Sequence, residues 1–417
     1  MEQKKSEIQK KRKKRKKHKK RILFVINTMG SAGAEHALLA LLHCLDCEKY
    51  DISLYVLLGQ GQLMRHIPKG VRLLNRDYTE LPVLSQEGRR ALRRTVLRDA
   101  FTDGCLWKRL PYLMHNFRDM LHHHRILPEK LLWRLVADGS ARSQGRYDLA
   151  VAFLEGGATY YVADYVNAAK KAAFVHIDYG RAGYTRNLDL DCYLSYDRVF
   201  TVSNEVKDAF LKAYPECEKY TAVFHNILDI HEIHQLAHVP GGFTDSFDGM
   251  RLLTVGRLTE QKAYDVAVEA MSLLKQRGRN VRWYVLGEGD RRKPLEHLIA
   301  ARGLKKDFIL IGQVENPYPF YAQTDLYVHA TRFEGKSIAI EEAQTLGCAI
   351  LASDCSGNRE QICDGVDGKL CSLTAEGIAD GIEWMLDHPE DRQRLKKAAA
   401  TKQNFDMDEI RQLLELL

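Results

Sequence analysis

Arg332-Phe333-Glu334-Gly335-Lys336-Ser337-Ile338-Ala339-Ile340-Glu341-Glu342-Ala343 stands between two apolar runs. The run before it, residues 326–329, reads as a strand. The run it opens, residues 338–346, has helical spacing. Glu334 therefore lies in the loop before a helix, and Glu342 more than a turn inside it. Gly335 and Ser337 lie between them, where backbone amides are expected to be free at the helix start. Free N–H groups and the helix dipole can receive a phosphate there. A carboxylate deeper in the helix can reach back to sugar hydroxyls. The chemistry fits a nucleotide-sugar or sugar-phosphate site; the plain alternative is a strand-loop-helix with surface acids. Gly335-Lys336-Ser337 also ends like a P-loop, but the first glycine of G-x4-G-K-S would fall at Ala330.

Outward from this stretch, strand and helix patterns alternate as in a parallel α/β sheet. Leu252-Leu253-Thr254-Val255 runs into Gly256-Arg257, and Lys262 follows just before a helix over 264–274. Two cations at a strand end and a helix start suit a diphosphate, whose charge develops as a sugar leaves. A solvated basic loop is the alternative. Residues 281–286 are a strand ending in Gly287-Glu288-Gly289, and residues 308–311 one ending in Gly312-Gln313. A strand over 349–353 and helices over 374–387, 390–402 and 406–416 complete this half.

The first half opens on Ile22-Leu23-Phe24-Val25-Ile26, a buried-strand pattern. A glycine-bearing loop follows, then a helix with Ala37, Leu38, Leu41, Leu42 and Leu45 on one face. The loop is not G-x-G-x-x-G, so no dinucleotide site is read. Strands over 52–58, 71–74, 147–154 and 171–179 carry the sheet onward. His176 falls near the end of the last, the edge where open α/β sheets bind ligands. Asp189-Leu190-Asp191 imitates a D-x-D metal motif but lacks the preceding hydrophobic strand. His122-His123-His124 are consecutive and cannot share a helix face, which argues against a metal site. The alternation breaks over 79–145, where Arg89, Arg90, Arg93, Arg94, Arg98, Trp107 and Trp133 mark helices with basic and apolar faces. Such an insert suits a membrane surface or a lipid carrier; packing onto the domain fits equally. Residues 231–249, with Pro240-Gly241-Gly242, read as the linker between two domains.

The 417 residues suffice for two domains. Nine cysteines, scattered and odd in number, suit reduced thiols. No run is long and apolar enough to span a bilayer, and no signal-peptide core is present, so a cytoplasmic location is expected. Residues 1–21 hold a local charge of +11 in a chain of +7 overall, so the remainder is mildly acidic. This polybasic tail is expected to be disordered and to suit an anionic membrane surface. It would also attract RNA non-specifically, but it has no aromatics for base stacking, so no specific nucleic acid is expected. A merely solvated tail is the third reading.

Taken in order, these motifs resemble the retaining glycosyltransferases of family 4. Glu334 to Glu342 is similar to the family's E-x7-E, commonly E-G-F-G-L followed by three residues and E-A. Lys336 and Ser337 replace the Phe and second Gly, a variant that looks like the branch building bacterial exopolysaccharides and capsules. Ala32-Gly33-Ala34-Glu35 resembles a G-G-A-E opening, Val223 to Asp229 a V-x-x-N-x-x-D exit, and Gly256-Arg257-Leu258 with Lys262 the G-R-L-x-x-x-K motif. The resemblance is specific over 252–368 and looser before it. It implies the GT-B architecture: two Rossmann-like domains facing across a cleft, with a helical insert in the first. The expected parts are a tail (1–21), an acceptor-binding domain (22–235), a nucleotide-sugar-binding domain (250–402) and a helix crossing back (403–417).

The implied reaction moves a hexose from a nucleoside diphosphate sugar, a UDP-sugar, to a glycan acceptor carried on a polyprenyl diphosphate lipid. Configuration is retained, with no cofactor and no metal. Arg257, Lys262 and amides near Gly33, Gly335, Lys336, Ser337 and Ile338 would hold the diphosphate. Glu342 would hold the ribose, Glu334 the sugar hydroxyls, and Gln313 would lie by the base. His176 would orient the sugar. The enzyme would sit peripherally on the inner membrane face. Because the architecture also hosts epimerases, a nucleotide-sugar epimerase is the rival enzyme, and a basic membrane- or RNA-binding protein the non-enzymatic one.

Overall fold

The computed structural model describes residues 19–30, 32–83, 85–124, 126–401 and 407–417. Most of the basic tail, residues 1–18, lies outside the described residues, so the expectations placed on it do too.

Seven parallel strands form the first sheet: β1 (Lys20–Ile26), β2 (Tyr50–Val56), β3 (Arg72–Leu73), β4 (Tyr147–Ala152), β5 (Ala168–Val175), β6 (Arg198–Thr201) and β7 (Thr221–Val223), in the order β3-β2-β1-β4-β5-β6-β7. The second sheet has six: β8 (Met250–Val255), β9 (Val281–Leu286), β10 (Phe308–Gly312), β11 (Leu326–His329), β12 (Ile350–Ser353) and β13 (Lys369–Cys371), ordered β10-β9-β8-β11-β12-β13. Both orders reverse direction beside the first strand, which opens a crevice at the strand C-termini.

β1 shows why these runs read as continuously apolar. Ile22, Phe24 and Ile26 enter one core with Leu38 and Leu42, while Leu23 and Val25 enter the other with Val136 and Tyr160. Alternate residues point to opposite faces and both faces are covered. The second domain repeats the arrangement with Leu252 on one side and Leu253 on the other.

Four helices fill the break between β3 and β4: Gln86–Phe101, Cys105–Lys108, Leu110–His122 and Pro128–Gly139. The last packs onto the domain. Arg134 is 1% exposed and donates to the Asp164 carboxylate (2.5 Å) and the Asp189 carbonyl (2.7 Å). Asp189 itself is buried and accepts from Tyr160 Oη at 2.6 Å and from Tyr179 Oη, so it anchors the interior.

The expected linker is in part helical. Ile230–Ala237 forms a helix whose start is capped by Asp229, accepting the Glu232 N–H at 2.9 Å. Its eight residues bury only Ile233, too few for a periodic pattern to show. The chain ends in the helix Met407–Leu414, whose Ile410 and Leu413 enter the core of the first domain beside Ile22 and Leu38.

Candidate active site

β8 and β11 are adjacent and parallel, so the loops leaving their C-terminal ends emerge side by side. The Arg332 N–H donates to the Gln261 carbonyl (2.8 Å), Gln261 Nε2 donates to the Phe333 carbonyl (2.8 Å), and the Arg332 guanidinium holds Asp265 at 2.7 Å. This stitching brings the Lys262 ammonium onto the Glu334 carboxylate, with the side chains 13% and 14% exposed. His329, at the end of β11 and 1% exposed, places Nε2 3.4 Å from Glu334 and Nδ1 3.1 Å from Tyr327 Oη. Burial pushes the Glu334 carboxyl up, but Lys262 and His329 outweigh it and hold the group down at about 2. A permanently ionised, hydrogen-bond-accepting carboxylate therefore sits beside a cation at the cleft edge. Arg257, on the same loop as Lys262, is exposed and has no ion pair among the described residues. Its charge reaches across the cleft to buried Glu35, which also accepts from Thr28 Oγ1 at 3.1 Å.

The first domain brings His176 to the same place. It follows β5, and its ring lies against Phe153 and Phe174, with centroids at 5.1 and 5.9 Å. Burial lowers the imidazole to about 4, so it is neutral at ordinary pH. Nε2 has no hydrogen-bond partner among the described residues. The backbone is pinned by Glu155, whose Oε1 accepts the N–H groups of His176 and, at 3.0 Å, Ile177. A Cβ on Gly335 would stand 2.6 Å from the His176 carbonyl oxygen, so the two domains touch here through a glycine. Gly33 opens the helix Gly33–Cys44, and a Cβ there would meet Ile338 Cδ1 at 3.4 Å. Ile338 opens the helix Ile338–Thr345. Two helix N-termini, with their partial positive charge, thus converge on the cleft.

Other sequence expectations are redrawn. The Ser337 amide is not free: it donates to Gln361 Oε1 at 2.6 Å, and Gln361 Nε2 returns a bond to the Ser337 carbonyl at 2.9 Å. The Lys336 ammonium sits on Glu341, a carboxylate 1% exposed, at 2.8 Å. A buried carboxylate beside it draws the lysine inward. Glu342 is buried, 7% exposed, and accepts from Tyr318 Oη (3.2 Å) and Tyr321 Oη (3.0 Å). Burial raises it to about 7 despite these bonds. Gln313 is exposed just past edge strand β10, apart from the Lys262–Glu334 cluster. Among the described residues no group of three His, Cys, Asp or Glu is placed to hold a metal ion. His329 and Glu155 are the residues that reading the sequence missed. The cue that singled out His176, a histidine at a strand's C-terminal end, applies equally to His329.

Two parallel-sheet Rossmann-like domains facing across a cleft define the GT-B fold. Residues 248–402, which carry Arg257, Lys262, Glu334 and Glu342, match the family of glycosyl transferases group 1 and form a domain of that kind. Part of the chain is 32% identical over 152 residues to the alpha-D-kanosaminyltransferase of Streptomyces kanamyceticus, covering 36% of this chain and 39% of that protein. Another match, 30% identical over 186 residues, covers 44% of this chain and 49% of the N-acetylgalactosamine-N,N'-diacetylbacillosaminyl-diphospho-undecaprenol 4-alpha-N-acetylgalactosaminyltransferase of Campylobacter jejuni. The chain thus spans less than half the length of these two curated relatives. Anabaena HepE, solved with UDP and glucose, superposes with a TM-score of 0.66 at 18% identity, over 94% of this chain and 98% of that one. At that identity the likeness is one of fold.

Proposed function

We propose that the chain is a retaining glycosyltransferase that moves a hexose from a UDP-sugar to a glycan hydroxyl in cell-surface polysaccharide synthesis. The observation that carries this reading is the Lys262–Glu334 pair, backed by His329 and facing His176 across the Gly335 contact. Arg257 and Lys262 neutralise the diphosphate as the bond between sugar C1 and the phosphate oxygen breaks. The helix start at Gly33 and the amides of Gly335 and Ile338 add to this. The acceptor oxygen bonds to C1 on the same face, and its proton passes to the departing phosphate oxygen. Glu334 accepts hydrogen bonds from sugar hydroxyls, and neutral His176 orients the ring. Glu342 holds the ribose, and Gln313 lies at the base end of the donor. These side-chain cations require no metal partner in the step.

The matched relatives whose names include undecaprenol diphosphate support a lipid-linked acceptor for this chain. That reading places the enzyme on the inner face of the membrane, with the basic tail of residues 1–21 toward anionic lipid. No helix among the described residues is long and apolar enough to cross a membrane.

The test is turnover of Glu334→Ala, His176→Ala and Lys262→Ala, with circular dichroism to confirm folding. Each is expected to lose transfer by about a hundredfold or more. Wild-type turnover in any of them removes that residue from the site. Product analysis separates transfer from epimerisation: a new glycosidic bond supports the proposal, and an epimerised free donor overturns it.

A further inference from the structure

His329 ends β11, a strand paired to β8 on one side and β12 on the other, so its backbone is fixed. Residues two apart on a strand point to the same face. Tyr327 therefore stacks beside His329, with ring centroids 6.0 Å apart and planes inclined by 28°. Tyr321 in turn lies against Tyr327, centroids 5.3 Å apart, and donates to Glu342 at 3.0 Å. One row of buried rings thus runs from Glu342 to Glu334. Its hydrogens have one consistent placement. Glu334, held at about 2, is ionised and can only accept. His329 Nε2, 3.4 Å from Glu334 Oε2, must then carry a hydrogen. Burial, and after it the Lys262 charge, push the imidazole down, so the ring is neutral at pH 7 and Nδ1 is an acceptor. Tyr327 Oη, 3.1 Å from Nδ1, is its donor. The Lys262 ammonium grips the same carboxylate oxygen, Oε2. Both donors converge there, and Oε1 accepts from no described residue, in a side chain that stays 14% exposed.

We infer that His329 is a positioning residue: with its tautomer set by Tyr327, it fixes Glu334 through Oε2 and leaves Oε1 to accept from a hydroxyl of the transferred sugar. The role rests on the sugar-transfer reading, in which Lys262 also serves the diphosphate. An arriving diphosphate competes with Glu334 for that ammonium. The neutral imidazole carries no net charge for the phosphates to attract, so its grip on Oε2 persists when the donor binds. A carboxylate on a loop keeps its aim only if its supporting side chains are themselves locked, and the ring row on β11 supplies that support.

The test compares the full chain as wild type, His329→Leu, His329→Gln, Tyr327→Phe and Tyr327→Phe/His329→Gln, with melting temperatures to report folding. Two quantities are read. One is release of UDP from UDP-glucose, UDP-galactose or UDP-N-acetylglucosamine, whichever wild type turns over fastest. The other is calorimetric affinity for UDP alone, which has no sugar for Glu334 to hold. His329→Leu keeps apolar packing and loses the N–H. Its UDP release is expected to fall about tenfold to a hundredfold, with UDP affinity unchanged. His329→Gln offers an amide N–H in place of Nε2 and should recover most of the loss. Tyr327→Phe should cost about three- to tenfold beside His329 and nothing further beside Gln, because an amide has no tautomer to set. Wild-type release in His329→Leu, no recovery in His329→Gln, or parallel losses of UDP affinity and release overturn the inference. Should His329→Leu fail to fold, unchanged release in Tyr327→Phe overturns it instead. A wild type that releases no UDP from any of the three donors overturns the sugar-transfer reading and this inference with it.

Discussion

At Gly335 the two domains meet with no room for a side chain. A methyl group there would stand 2.6 Å from the His176 carbonyl oxygen and 3.1 Å from Val206 Cγ2. Gly335→Ala is therefore predicted to hold the cleft open, at a cost of about 1–3 kcal/mol, and to lower kcat/KM for transfer about tenfold or more. The melting temperature should fall by about 2–10 °C; unchanged kcat/KM would show that the contact is not needed in turnover. Glu342 gives a pH signature. Burial lifts its carboxyl to about 7, so the folded chain disfavours the charged form and loses stability as pH rises from the ordinary carboxylate range toward 7. With the proposed role of Glu342 at the ribose, donor binding is expected to run the other way, because an ionised carboxylate can accept from two hydroxyls at once. UDP-glucose affinity should rise between pH 6 and 8, by up to about tenfold per unit below 7, and Glu342→Gln should flatten the profile in calorimetry. The placement of Arg257, Lys262 and Glu334 between a strand end and the next helix, and of Glu342 inside a helix, was legible from the apolar runs on either side. The inward turn of Lys336 was not, because it depends on Glu341 being buried, and helical spacing alone did not reveal which acid faces the core.

Between elements, the helix Asn204–Ala213 of the first domain is capped twice. Its own Ser203 accepts the Val206 N–H at 3.2 Å. From the second domain Glu360, on the helix Ser356–Gln361, accepts the N–H groups of Asn204 and Glu205 at 3.0 and 2.6 Å. A carboxylate at a helix N-terminus is favourable in its own right. Here it also fastens the domains, with Ser356 donating to Glu205. Burial pushes Glu205 up to about 7, and nearby Asp178 and Glu360 add to this against Arg181. Stability from this junction is therefore greatest in acid and falls as pH rises through 7. Glu205→Gln, which keeps an acceptor for Ser356, should raise the melting temperature by about 1–3 °C at pH 8 and leave it unchanged at pH 5; an equal shift at both would exclude the titration. Most strands were legible one by one, since apolar runs of four to eight residues mark parallel sheets, but β7 and β13, three residues each, left no such run and were not read. Contacts between elements far apart in the chain, such as 204 with 360, leave no periodic trace.

Over the whole molecule, the chain crosses twice between the domains. It leaves through the helix Ile230–Ala237 and returns in Met407–Leu414, where Ile410 and Leu413 fill the first core and Glu409 meets His225 Nδ1 at 2.8 Å. Ile410→Ala and Leu413→Ala should each cost about 2–5 kcal/mol, seen as a lower melting temperature; a loss under 1 kcal/mol would mean that this helix is not part of the first domain's core. In the cleft between the domains, a nucleoside diphosphate sugar is proposed to bind across Arg257, Lys262, Glu334 and Glu342. The most direct measurement is calorimetric titration of the full chain with UDP-, GDP- and ADP-sugars, for wild type and Glu342→Ala. A UDP-sugar is expected to bind wild type, and to be lost or weakened at least about tenfold in the variant. Absence of binding to any nucleotide sugar, or equal binding by the variant, would contradict it.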